Sequence, residues 1–136
     1  MSDKVNFEGL KDELIKLNDD KYKDEVIINW GTEVYEDASK HFKKLTQSQF
    51  QRFINLDIEI KNILVEISKD NSIIELQQKV ANLHKEWITL AWGKYNRDAH
   101  LGLANMYMHD VRFMKHYDKH GNGLAYILSD AIFKYI

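Results

Sequence analysis

No cysteine and no proline occurs anywhere in this chain. Without cysteine there is no disulfide, no thiolate metal site and no thiol nucleophile. Without proline, normally about 5% of residues, helices escape its breaks, and turns fall to glycine, asparagine and aspartate. Long hydrophobic runs are missing too. No uncharged apolar stretch is long enough to span a bilayer. The opening MSDKVNFEGLKDE is charged and lacks the apolar run of a secretory signal. Nor does charge of one sign dominate: 19 basic against 21 acidic residues leaves −2, so no broad positive field attracts phosphates. The expectation is a soluble, cytoplasmic monomer that binds neither membrane nor nucleic acid directly.

What is present is a chain of 136 residues, 44% hydrophobic and 29% charged, which fits one domain over 1–136 with a real core. The apolar spacing is helical throughout. Phe7, Leu10, Leu14 and Leu17 predict a short helix ending at Asn18-Asp19-Asp20, and a second is expected from Lys21 to Trp30, closed by a left-handed Gly31. Thr32 is placed to cap a third. Thr46 to Gln49, TQSQ, has capping-box spacing, with Leu45 and Phe50 set to staple it. SIIE, Ser72 to Glu75, repeats the box. Phe50, Phe53, Leu56, Ile60, Ile63, Leu64 and Ile67 mark one buried face; Leu76, Val80, Leu83, Trp87 and Leu90 mark the next, which Gly93 ends. Asn96 and Asp110 read as caps of two further helices, and GNG leads into a last one carrying Leu124, Ile127, Leu128, Ala131 and Tyr135. The fold class is all-α.

Catalytic fingerprints are absent: no P-loop, dinucleotide glycine motif, HExxH or GxSxG. The expectation is a protein that is not an enzyme. His116 and His120 have the i, i+4 spacing that can clamp a metal, with His84, His100 and His109 upstream, but Gly121 follows His120 and would leave that ligand on a fraying end. Haem is conceivable for an all-α domain with several histidines, although none stands out as proximal ligand. No cofactor is therefore expected. The aromatics carry more information. Trp87, Trp92 and Tyr95 cluster shortly before Tyr107, Phe113 and Tyr117. Core is the ordinary role for such residues. Near helix ends, though, Trp and Tyr pair an apolar body with a polar tip, which suits a large, flat, poorly soluble ligand.

The segment MYMHDVRFMKHYDKHGNGLAYILSDAI resembles the signature of the TipAS-type antibiotic-recognition domain. The matching elements are Tyr107, Asp110 with Arg112 and Phe113, Gly123-Leu124-Ala125, and Ala131-Ile132. Upstream, Trp30-Gly31, Tyr35, Ser39 and His84 are similar to the family's N-terminal elements, so the resemblance spans about Asp20 to Tyr135. It implies a globin-like arrangement of about six to seven helices with a cleft that takes thiopeptides or other bulky antibiotics. Such domains usually form the effector-binding part of MerR-type transcription activators; free-standing versions sequester the drug. This chain lacks the winged helix-turn-helix of those regulators. Some thiopeptide binders use a cysteine to capture a dehydroalanine of the ligand, a chemistry closed to this chain, so binding is expected to be non-covalent.

The candidate ligand-binding residues are Trp30, Tyr35, His84, Trp87, Trp92, Tyr95, Tyr107, Asp110, Phe113 and Tyr117. The alternatives are a haem- or metal-binding helical protein and a helical protein-interaction domain without a small ligand. Because the first forty residues are only lightly apolar, the N-terminal helices are expected to be mobile without ligand and to fold over it.

Overall fold

The computed structural model describes residues 3–136. Seven helices follow one another: α1 Asp3–Trp30, α2 Thr32–Lys43, α3 Gln47–Lys69, α4 Ile74–Trp92, α5 Arg97–His109, α6 Val111–Asp118 and α7 Leu124–Tyr135. There is no strand among the described residues.

The two short N-terminal helices expected from the sequence are one. Asn18, Asp19 and Asp20 are weak helix formers, each costing a few tenths of a kcal/mol relative to alanine, but none removes a backbone donor as proline would. The ladder therefore continues through them to Trp30. Gly31 does adopt a positive φ of 94°, but with ψ 159° it is extended rather than left-handed helical. It also takes the N-cap position of α2, and Thr32 becomes the first helical residue.

Local signals further along were more faithful. The Thr46 hydroxyl accepts from the Gln49 amide at 3.1 Å while the Gln49 side chain accepts from the Thr46 amide at 2.9 Å, closing the capping box. Leu45 and Phe50 are both buried beside it. The second box fails. Asp70, two residues upstream, offers Ser72 a charged acceptor, and both the Ser72 amide and hydroxyl bond it, at 3.0 and 2.6 Å. A carboxylate two positions back is a stronger acceptor than a helix end still to be formed, so an Asx turn wins. The helix then starts after Ile73 with no side-chain cap.

Gly93 ends α4 in the left-handed region, with φ 86° and ψ −16°. A Cβ there would stand 2.7 Å from Cγ of His41. The His41 ring cannot swing away freely, because its Nε2–H donates to the Leu90 carbonyl at 2.8 Å. Gly93→Ala is therefore expected to cost about 2 kcal/mol, roughly half from the strained φ and half from the disturbed hydrogen bond. Urea unfolding measures it; a cost near zero would mean that His41 is free to move.

The core gathers on α7, which packs against α3, α4, α5 and α6. Leu124, Ala125, Leu128, Ala131 and Ile132 are buried there against Ile60, Leu64 and Ile67 of α3, Val80 and Ile88 of α4, and Leu103 and Ala104 of α5. Ser129 is buried too, and its hydroxyl donates to the Ala104 carbonyl at 2.7 Å. The α1–α2 pair is attached by a different device. Lys11 is only 2% exposed. Its ammonium donates to the Lys43 and Leu45 carbonyls, the latter at 3.0 Å. A cation thus meets carbonyls that the end of α2 leaves without helical partners, where the helix dipole also favours positive charge.

Candidate functional site

Five residues of α4, Asn82, Lys85, Glu86, Thr89 and Leu90, share one helical face by their three- and four-residue spacing. With His41 and Leu45 at the end of α2 and Gln49 at the start of α3, they line an open groove of about 380 Å³. Arg52 reaches across from α3 and binds Glu86 in a two-point contact of 2.7 and 3.0 Å. That contact holds the Glu86 carboxyl below its ordinary value.

Behind this face runs a buried polar chain. The Tyr95 hydroxyl lies 2.9 Å from His100 Nδ1, His100 Nε2 lies 2.9 Å from His84 Nδ1, and His84 Nε2 lies 3.0 Å from the Tyr107 hydroxyl. Both histidine side chains are fully buried. Burial, followed by the charge that His100 would bring, pushes His84 well below the usual imidazole range. Burial, with Lys85 second, pushes His100 down to about 4. Burial likewise raises the Tyr117 phenol well above its ordinary value. The Tyr117 hydroxyl and the Trp87 indole N–H are buried without a hydrogen-bond partner among the described residues.

Aromatic rings carry the packing outward from this chain. His84 sits against Trp87, Tyr107 and Tyr117. Trp87 stacks on Phe53 with centroids 5.0 Å apart, and Phe53 meets Phe42 and Phe50. Phe7 of α1 closes the row against Phe50. On the other side His116 packs on Tyr117 and its Nε2 lies 3.1 Å from Asp57 Oδ1. Burial alone would raise the Asp57 carboxyl, but hydrogen bonds from His116 and Lys61 bring it below the ordinary value.

Of the ten candidates, His84, Trp87, Tyr95, Tyr107, Phe113 and Tyr117 join one connected cluster. Within it His84, Tyr107, Phe113 and Tyr117 are buried, and their side chains face other side chains rather than the groove. Trp87 and Tyr95 are partly buried, as is Trp92 against the same core. Trp30, at the end of α1, lies beside Gly102 of α5. Tyr35 lies under Lys23, whose Nζ is 5.2 Å from the ring centre. Burial and a hydrogen bond to Asp19 push the Tyr35 phenol up to about 12. Asp110 caps α6, accepting from the Arg112 amide at 2.9 Å and pairing with its guanidinium. Its engagement is local.

The residues not anticipated as site residues are His41, Phe53, Asp57, Lys85, His100 and His116. His100 had a readable signal, since it stands on the same helical face as Leu103, Ala104 and Tyr107, just as His84 stands between Val80 and Ile88. A histidine set in an apolar stripe is a buried, bonded histidine in waiting. No group of three or more His, Asp or Glu able to hold a metal ion occurs among the described residues. Likewise no helix among them is long and apolar enough to cross a membrane.

Comparison with known proteins agrees with the motif resemblance. Residues 22–135 match the family model of the TipAS antibiotic-recognition domain. The chain belongs to that family. No curated protein and no solved structure matches it. A TipAS domain is a ligand-recognition module rather than a catalytic one. In this TipAS domain the histidine–aromatic cluster lies directly behind the helix that supplies most of the groove wall.

Proposed function

We propose that this TipAS domain binds a bulky, heterocycle-rich antibiotic of the thiopeptide kind without forming a covalent bond to it, in the groove between α2 and α4. The observation that carries the proposal is the family match over residues 22–135. The open groove, about 380 Å³, lies at the low end of the usual span of small-ligand sites, so it would hold one part of such a ligand. Trp30, Tyr35, Trp92 and Tyr95 do not line the groove; all are partly exposed, and a bulky ligand extending beyond it would use their rings. His84, Trp87, Tyr107, Phe113 and Tyr117 back the wall, all but Trp87 buried. The domain acts either by sequestering the drug or as the effector sensor of a transcription activator.

A thermal-shift screen with thiopeptides and other peptide antibiotics tests this. A ligand at a hundred times its dissociation constant adds about 2.7 kcal/mol to folding stability, and the melting temperature should rise by several degrees. In Trp30→Ala the shift should shrink while the unliganded melting temperature barely moves. If no compound of the panel shifts the parent, the domain is a helical protein-interaction module instead.

A further inference from the structure

The charges lining the groove do not cancel. Glu86 is matched by Arg52. Lys85, its neighbour in sequence, lines the same groove, and among the described residues no carboxylate pairs with it. Its Nζ stands 4.5 Å from the centre of the Tyr95 ring. The ring face holds the ammonium loosely and saturates none of its N–H donors.

Tyr95 is also the outer end of the buried chain, and counting protons shows what its hydroxyl can do. Two neutral imidazoles and two phenols hold four protons between them, while the chain has three internal hydrogen bonds. One proton is spare and must sit at one end. If Tyr95 donates to His100 Nδ1, both histidines carry their proton on Nε2 and the spare proton is on Tyr107. If both carry it on Nδ1, Tyr107 donates to His84, His100 donates to Tyr95, and the Tyr95 O–H turns outward. Neither arrangement leaves a buried ring nitrogen without a partner.

We propose that Lys85 and Tyr95 form an anchor for a carboxylate or similar anionic acceptor on the bound antibiotic, with the spare proton of the buried chain shifted to the Tyr95 end. This rests on the groove being the antibiotic site. An ionised acceptor gains from both groups, the ammonium by charge and the phenol by an outward O–H. A neutral amide keeps only weak bonds, since charge-assisted hydrogen bonds are roughly twice as strong as neutral ones.

The experiment compares a thiopeptide ending in a free carboxylic acid with the same compound as its primary amide. Calorimetry is run on the full chain and on Lys85→Met, an exposed position where the change should leave the fold intact. The acid should bind the parent at least about tenfold more tightly than the amide, and in Lys85→Met that ratio should fall to near one. Histidine nitrogen-15 spectra of the acid-bound parent should place the protons of His84 and His100 on Nδ1. Equal affinities for acid and amide on the parent, or an acid preference that survives Lys85→Met, would overturn the anchor while leaving antibiotic binding established. Protons on Nε2 in the acid complex would remove Tyr95 from it. Binding of neither compound would sink the antibiotic site, and the anchor with it.

Discussion

Truncating Tyr107 to alanine is expected to destabilise the fold by about 3 to 5 kcal/mol, the range for removing a large aromatic from a packed interior. The side chain is 3% exposed. Its ring packs edge-on against Tyr117 at 5.2 Å and against His84 at 5.6 Å, so α4, α5 and α6 all lose contacts with it. The hydroxyl adds a separate cost. Without it, His84 Nε2 is a buried ring nitrogen missing its 3.0 Å partner, a loss of about 1 to 3 kcal/mol. Tyr107→Phe isolates that second part. Urea unfolding of both variants, alongside affinity for an antibiotic that shifts the parent, separates core from cleft. Should Tyr107→Ala unfold like the parent yet bind more weakly, Tyr107 would be a ligand contact and the burial described here would not represent the binding-competent state.

Acid should weaken the protein well before its carboxylates are protonated. His100 titrates at about 4 in the fold, whereas an unfolded histidine titrates near 6.5. The unfolded chain therefore takes up its proton first as pH falls. The stability conferred by the neutral imidazole is fully present above about pH 6.5 and is lost progressively down to about pH 4. The full shift corresponds to about 3 kcal/mol, and partial solvent screening on the Tyr95 side reduces this to about 2 kcal/mol. His84, depressed by the same burial, acts in the same direction. The two rings also restrain each other: nitrogens 2.9 Å apart cannot both carry a proton across one hydrogen bond. Asp57 and Glu86 are held below their ordinary values, so their contribution is lost at the bottom of this window and beneath it. Melting temperatures between pH 7.5 and 4 measure the effect, with His100→Gln as control. The variant should start less stable and lose less on acidification. A parent whose stability is flat from pH 6.5 to 4.5 would show that the buried histidines are not held neutral.

Legible in the sequence is whatever one or two helical turns decide. A side chain's face follows from its phase on a helix, and the apolar row of α3 is buried at Phe50, Leu56, Ile60, Ile63, Leu64 and Ile67 and half-buried at Phe53, whereas of Leu76, Val80, Leu83, Trp87 and Leu90 on α4 only Val80 is buried. Thr46, Gly93, Asn96 and Asp110 took their expected capping places for the same reason. Even at short range a closer competitor could win, as Asp70 did over the capping of Ser72. Phase does not say whether a face is covered. Leu10 and Leu17 share the spacing of buried leucines yet remain 44% and 49% exposed on α1.

The motif resemblance fixed the family and named much of the cluster, but not its connections. His84 meets His100 across 16 residues, Lys11 meets the Leu45 carbonyl across 34, and His41 meets Leu90 across 49. Such pairings depend on the path the whole chain takes between helices, and no periodicity within a helix encodes it. Sequence alone therefore determined the helices after the first, most of their caps and the kind of protein this is. Only the tertiary structure decided that His84 and His100 share one hydrogen bond in the core, since it is the packing of α4 against its neighbours that removes water and leaves each imidazole the other as partner.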